Sequence, residues 1–482
     1  MSSAAKTSVE ATKTAVTLGV IVASRGFFNP AHARTAREQV TAELEALGIR
    51  YEILPADATP NGAVETREDT RKYAEFFRER RDRIHGLLVV LANFGDEIAV
   101  ADTIRYSGLN VPVLLQAGND RSDRVDIGGR KDAYCGKISV ANNLYQYGIP
   151  WTDTTYHTCD VNSDTFRDDL RRFAGVCRVV RAVRGARIGM IGARPAPFRT
   201  VRFSEKLLQN NDITVVPVDM SEILSAANGF SDSDDRVAKK VDAIRGYGNV
   251  PAQIPNEQVQ RQACLSLAIE DWISENEIDA SAIQCWPSVQ TNYGCATCVT
   301  MSMMGEQLRP SACEVDITGA ISMLALAVAA EHPSALLDWN NNYDDKFDTV
   351  VATHCSNYPK RFVGGDIEIS QLDVLGESLG RDNSFGAIKG KVAPGRMTYF
   401  RMSTDDRHGL IKAYVGEGEF TDDPFPMHGG IAVCRIPRER ELMRFITQQG
   451  FEHHVAMVRG EVADILEEAA STYLGWATHR HE

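Results

Sequence analysis

The pattern of apolar and polar positions gives the chain two textures. In the first third, short apolar runs alternate with amphipathic segments. Thr17–Ala23, Arg50–Leu54, Gly86–Leu91 and Val111–Gln116 predict strands; Ala31–Leu47, Arg67–Arg83 and Glu97–Ser107 predict helices. Strands separated by helices of this length predict βαβ units and a parallel sheet. Periodicity lapses over Trp151–Asp164, as a crossing between domains would, and restarts with a helix near Asp164–Val183. Arg187–Ile191, Ile213–Val218 and Ala282–Trp286 predict strands, Val201–Asn210 and Glu257–Glu275 helices, and Ser302–Arg309, Ile317–Ala330 and Ala335–Asp338 continue the pattern. Beyond about residue 350, Val350–His354, Gly365–Ser370, Phe385–Lys391, Arg396–Ser403, Gly409–Glu417 and Gly430–Arg435 predict strands with Gly- or Pro-bearing turns, closed by a helix at Glu461–Leu474. The expected class is α/β: two Rossmann-like parallel-sheet domains, residues 1–160 and 161–350, followed by a β-rich C-terminal domain, residues 351–482, with a terminal helix.

Composition narrows the function classes. Among 482 residues, 43% are hydrophobic and 24% charged, which excludes a disordered or purely coiled-coil chain. The formal charge of −13 repels nucleic acid and anionic membrane, so neither is expected as a partner. No run approaches the ~18 apolar residues of a membrane helix. Met1–Thr14 reads as a loose tail without the apolar core of a secretory signal, and the expected location is cytoplasmic. Ten scattered cysteines then read as free thiols. Cys295 and Cys298 form a C-x-x-C pair with no second pair at zinc-site spacing, and read as buried small hydrophobes. Gly189-Met-Ile-Gly192 lacks the third glycine of a dinucleotide fingerprint, and Gly128–Gly129 reads as a turn.

The chemistry concentrates in Ser311-Ala-Cys-Glu-Val-Asp-Ile-Thr-Gly319 and, one helix later, Ala335-Leu-Leu-Asp-Trp-Asn340. If the helix Ile317–Ala330 is a crossover between parallel strands, Glu314 and Asp338 end neighbouring strands at the edge where open α/β sheets place ligands. Such a pair has three readings: oxygen ligands for a hard cation, a proton-transfer couple, or solvated strand ends. Asp316 reads as the cap of the following helix. Later, His453 and His454 open an apolar strand, whose alternation would point them to opposite faces and let at most one address the site. A neutral imidazole completes a Glu/Asp set for Mn²⁺ or a similar ion.

The C-E-x-D-x-x-G-A segment, the carboxylate in L-L-D-W-N and the late H-H-V-A-x-V-x-G run together resemble the L-fucose isomerase family, which includes L-fucose/D-arabinose isomerases and, distantly, L-arabinose isomerases. The resemblance extends over most of the chain, including Gly19–Phe27, Cys135-Gly136-Lys137 and Ala282–Cys298. It implies a metal-dependent aldose–ketose isomerase working through a cis-enediol. Glu314, Asp338 and His454 would hold Mn²⁺, and the two carboxylates would shuttle protons. It further implies a homo-oligomer, trimer or hexamer, in which a neighbour's first loop supplies Arg25. Gln284, Trp286, Gln290 and His453 would contact the sugar. The expected substrate is a neutral L-fucose- or D-arabinose-like sugar. The alternative is a C6-anionic hexose, such as sulfoquinovose or a sugar phosphate, clamped by Arg194, Arg199 and Arg202. A second alternative is a non-catalytic sugar-binding protein on the same fold.

Overall fold

A computed structural model describes residues 14–126, 128–231 and 233–482; the expected tail, apart from Thr14, lies outside the described residues. The chain divides into two compact units, one ending at Arg181 and the other running from Ala182 to Glu482.

In the first unit, β1 (Thr17–Ala23), β2 (Arg50–Ile53), β3 (Gly86–Leu91), β4 (Val113–Ala117) and β5 (Thr152–Asp153) form a parallel sheet of order β2-β1-β3-β4-β5. β1, β3 and β4 are buried at every position, as continuous apolar runs in a sheet covered on both faces must be. The helix Asp164–Val183 packs Phe166, Leu170 and Phe173 into the same core as Val20 and Val22 of β1. A helix not anticipated above, Ala133–Tyr147, buries Ala133, Gly136, Val140 and Leu144 at helical spacing.

The second unit holds two sheets. β6 (Arg187–Ile191), β7 (Thr214–Val218), β8 (Ala280–Ile283) and β9 (Ser311–Ala312) are parallel, in the order β7-β6-β8-β9. Gly189 is required for packing here, because a Cβ would stand 2.9 Å from Trp272 and 3.1 Å from Ile278. The other sheet contains β10 (Ser334–Tyr343), β11 (Lys346–His354), β12 (Glu368–Gln371), β13 (Phe385–Lys391), β14 (Gly395–Asp405), β15 (Leu410–Phe420), β16 (Gly430–Arg435), β17 (His454–Arg459) and β18 (Ala477–His481). Its order is β12-β13-β16-β11-β10-β17-β14-β15-β18, and a further β15–β16 pairing closes β16-β11-β10-β17-β14-β15 into an antiparallel ring. Closure removes the edges of those six strands.

Four expectations need correction. β10 is not parallel to β9: it pairs antiparallel with β11 and β17 in the other sheet. The reason lies in the helix Ile317–Ala330, which carries no charged residue and is buried at every position except Ala330. It packs against β6, β8 and β9 on one side and β10, β14 and β17 on the other, so it is the layer between two sheets rather than a crossover along one. Asp338 therefore lies within a strand, not at its end. The helix expected over Val201–Asn210 is a 3₁₀ turn, Arg199–Val201, followed by Glu205–Gln209. The terminal helix is α-helical over Ala463–Glu468 and π-helical over Ala469–Tyr473, and β18 follows it. Finally, the β-rich region also contains the amphipathic helix Glu439–Gln449. Among the described residues, no helix is long and apolar enough to cross a membrane.

Gly136 offers a test of the first unit's packing. A Cβ there would lie 1.7 Å from the Phe94 carbonyl oxygen, which is backbone and cannot rotate away. Gly136→Ala is expected to destabilise the protein by more than about 2 kcal/mol, read as a lowered urea midpoint at unchanged slope.

Candidate active site

Three chain segments of the second unit meet at one point. Glu314 follows β9 in a loop where Glu314 and Val315 both adopt left-handed backbone, φ 54° and 58°. Consecutive positive φ values are costly for a glutamate and a β-branched valine, and persist where surrounding contacts over-determine them. Here Val315 N–H donates to Ile283 O at 3.3 Å and Asp316 N–H to Cys313 O at 3.0 Å. Asp338 of β10 stands directly opposite His454 of β17 in the strand register, and opposite Thr353 of β11 on its other side.

The acceptors converge. His454 Nε2 lies 3.7 Å from Glu314 Oε2 and 3.4 Å from Asp338 Oδ1. Both carboxylate oxygens are buried and have no hydrogen-bond partner. The other oxygen of Glu314 is engaged, accepting from Trp286 Nε1 at 3.0 Å and Cys285 Sγ at 3.3 Å. Buried acceptors left empty beside an imidazole nitrogen form a candidate donor set for a divalent cation, since an unpaired buried acceptor is otherwise costly.

The orientation of His454 is set by Asp316. His454 Nδ1 donates to Asp316 Oδ2 at 2.9 Å, leaving the Nε2 lone pair for the site. The same carboxylate caps the helix Ile317–Ala330 through Gly319 N–H at 2.8 Å and accepts from Arg401 at 2.6 and 3.1 Å. Asp316 and Arg401 are fully buried. Arg401 also reaches Glu452, two residues before His454, at 3.2 Å, and Thr318 at 2.8 Å. Burial alone would raise the Asp316 pKa, but the Arg401 charge, with His454 and Arg401 hydrogen bonds, outweighs it and holds the carboxyl well below the usual range. The cap assigned to Asp316 from its position is thus present, and the residue has two further duties.

Both histidines approach Asp338, contrary to the strand-alternation argument: His453 Nε2 lies 3.7 Å from Asp338 Oδ1. His453 sits in the bend before β17, where alternation does not apply, and is half-exposed. His354, at the end of β11, was not anticipated; its Nε2 is 3.6 Å from Glu314 Oε2. Burial would lower its pKa, but the Cys355 and Asp338 charges and hydrogen bonding to Cys355 and Glu314 raise it well above the ordinary value. Phe198 packs edge-on to Trp286 and His453, 5.5 and 5.9 Å between ring centres, so the segment following Arg194 borders the site. A cavity of about 210 Å³ opens beside Asp338 and His354.

Sequence profiles bear directly on this arrangement: residues 19–184 match the fucose/sulfoquinovose isomerase N-terminal domain and residues 352–481 the L-fucose isomerase C-terminal domain. The chain belongs to the L-fucose isomerase family. It is similar to the sulfoquinovose isomerase of Priestia megaterium (strain ATCC 12872 / QMB1551), 24% identical over 397 residues that cover 80% of this chain and 83% of the relative. Those of Alkalicoccus urumqiensis (26%, covering 77% and 80%) and Clostridium sp. (strain MSTE9) (22%, covering 70% and 74%) are also similar. As a member of this family the protein is an aldose–ketose isomerase.

The remaining residues assigned from the family are placed as follows. Trp286 holds Glu314. Gln284 accepts from Ala193 N–H at 3.0 Å, and Gln290 is buried with its amide on the carbonyls of Cys285 and Cys295. Arg25 belongs to the first unit, where its guanidinium stacks 4.4 Å over Phe94 and donates to Gly95 O. Arg194 donates to the carbonyls of Pro195 and Ala196; Arg199 and Arg202 are exposed. Cys295 and Cys298 are free and buried.

The buried network makes two predictions. Arg401→Met strands Asp316 and Glu452 without a counter-charge, and is expected to cost about 3–5 kcal/mol in denaturant unfolding. Because the Asp316 carboxyl is depressed in the folded state, its contribution is present above its unfolded pKa, near 3.9, and is lost as pH falls below that value. Asp316→Asn is therefore expected to flatten the acid limb of stability against pH, measured by urea midpoints between pH 3 and 7.

Proposed function

We propose that the protein interconverts an aldose and a ketose whose C6 carries an anionic group, a sulfonated hexose of the sulfoquinovose type, at the Glu314–Asp338–His454 cluster. The convergence of the two unpartnered carboxylate oxygens on His454 Nε2 carries the assignment of the site. The anionic substrate is supported by the relatives, which are sulfoquinovose isomerases; it takes the place of the neutral L-fucose- or D-arabinose-like sugar expected from the sequence.

Glu314, Asp338 and His454 would hold Mn²⁺ or a similar divalent ion, drawing together two neighbouring clusters, Cys313–Glu314–His354–Cys355 and Asp338–His453–His454, that His454 Nε2 bridges at 3.7 Å to Glu314 and 3.4 Å to Asp338. When bound, such an ion supplies Lewis-acid polarisation of the oxygens on C1 and C2. Asp338 lines the cavity beside the cluster. One carboxylate takes the C2 proton and the other delivers a proton to C1, through the cis-enediol. Asp316 fixes the His454 ring, and Trp286 fixes one Glu314 oxygen so that the other faces the site. The charge at C6 is read by side chains away from the carboxylates, and the half-buried Arg194, on the segment that carries Phe198 to the site, is our candidate. Arg25 would be contributed by a neighbouring copy in a homo-oligomer.

Glu314→Gln and Asp338→Asn are each expected to lower kcat by about 10²–10⁴-fold with the fold intact by circular dichroism. Turnover of a C6-sulfonated hexose should exceed that of L-fucose and D-arabinose in kcat/KM, and Arg194→Ala should reduce that preference. Equal turnover of neutral and sulfonated sugars would remove the substrate assignment. Deuterium from solvent should enter the ketose at C1; its absence would favour a hydride shift.

A further inference from the structure

The first unit has a cavity of its own. It measures about 350 Å³ and lies at the C-terminal ends of β3 and β4, lined by Val90, Leu91, Ala92, Gln116 and Gly118. In the order β2-β1-β3-β4-β5 the chain starts in the interior and winds outward in both directions, reversing between β1 and β3. Crevices beyond the carboxyl ends of strands near such a reversal are where open α/β sheets bind ligands.

The lining specifies what would fit. Arg121, Arg124 and Lys131 border the cavity, against one carboxylate, Asp160. Arg121 is paired with Asp123 at 3.0 Å. Arg124 and Lys131 form no ion pair among the described residues, and the nearby Asp120 carboxylate is already occupied by the Lys131 and Asp132 backbone N–H groups at 2.7 and 2.9 Å. Two cations without an ion-pair partner among the described residues stand on one wall, with the Asp120, Asp123 and Asp160 carboxylates nearby. His32, also on the wall, has its pKa lowered by burial and by Lys131, and its Nε2 is buried without a partner. The helix Ala31–Ala46 begins here, but its first two N–H groups are satisfied by Asn29, so the side-chain cations would have to hold an anion.

Gln116 supplies the independent observation. It is fully buried and is one of the residues lining the cavity; its amide nitrogen donates to Cys159 O at 2.7 Å, while its buried Oε1 has no donor. A buried amide oxygen without a donor is costly, and a ligand hydroxyl would relieve it. Cations alone would suit a bare oxyanion; cations together with an empty acceptor suit an oxyanion attached to a hydroxylated body.

We propose that this cavity binds a sugar carrying a phosphate or sulfonate group, with Arg124 and Lys131 on the oxyanion and Gln116 Oε1 accepting from a hydroxyl. This binding does not depend on the substrate proposed for the isomerase, and it is a property of the first unit by itself.

Hydrogen–deuterium exchange on the full chain locates it. D-glucose 6-phosphate, 6-sulfonated glucose, inorganic phosphate and glucose would each be added at millimolar concentration. The two anionic hexoses are expected to slow exchange in the peptides carrying Gln116 and Lys131; glucose should not, and inorganic phosphate should act more weakly than the better hexose. Whichever anionic hexose protects at lower concentration identifies the oxyanion. In Arg124→Ala/Lys131→Ala, where both changes are at accessible side chains, the concentration for half-protection should rise about tenfold or more, with an unchanged thermal midpoint in the absence of ligand. No protection of these peptides by either anionic hexose, equal protection by glucose, or undiminished protection in the double variant would overturn the proposal.

Discussion

One carboxylate ties the second unit together. Asp316 closes the N-terminus of the interlayer helix, accepts both arms of Arg401 from the ring of strands, and accepts a hydrogen bond from His454 Nδ1–H. Each task uses the negative charge, and each partner helps to keep it ionised in a place where burial would neutralise it. Gly319 belongs to the same constraint, since a Cβ there would stand 2.4 Å from Asp316 Oδ2. The packing of helix on strands and the aim of the histidine are therefore consequences of one set of hydrogen bonds. A fully satisfied buried network of this kind rigidifies what it joins.

The interlayer helix explains why the candidate site lies where two sheets meet. Because Ile317–Ala330 is apolar around its whole circumference, it must be covered on all sides, and two sheets cover it. The loop entering it brings Glu314 from the parallel sheet; the strand leaving it brings Asp338 into the antiparallel ring, opposite His454. Left-handed backbone at Glu314 and Val315 lets the chain turn sharply enough between β9 and the helix for the carboxylate to reach the histidine. The site thus joins rigid elements through one strained turn.

The first unit shows the complementary case, a doubly wound parallel sheet whose ligand edge carries its own polar and cationic groups. Gly128 and Gly129 do form a turn, with both N–H groups on the Asp126 carboxylate. That turn lies on the cavity wall, so a local reading of the two glycines describes their conformation and misses their neighbours.

Local pattern determined much of the architecture. β1, β3, β6, β13 and β16 run over the residues predicted for them, as does the helix Ile317–Ala330; in β1, β3 and the helix, burial on both faces leaves a continuous apolar signature. The family motifs likewise marked Glu314, Asp338 and His454, which the fold brings together. Which sheet a strand joins is not a local property. Ala335–Asp338 reads as the return strand of a crossover, yet the helix before it is covered from both sides, and β10 pairs across the ring instead. His354 carries no distinguishing neighbours in the sequence, and only the pairing of β11 with β10 and β16 delivers it to Glu314. The triple duty of Asp316 was similarly invisible beyond its cap, since its other partners, Arg401 and His454, are remote in sequence and are brought within hydrogen-bonding distance by strand register alone. Burial and periodicity are written residue by residue, whereas pairing and convergence depend on which surfaces must cover one another, and the packed chain decides that.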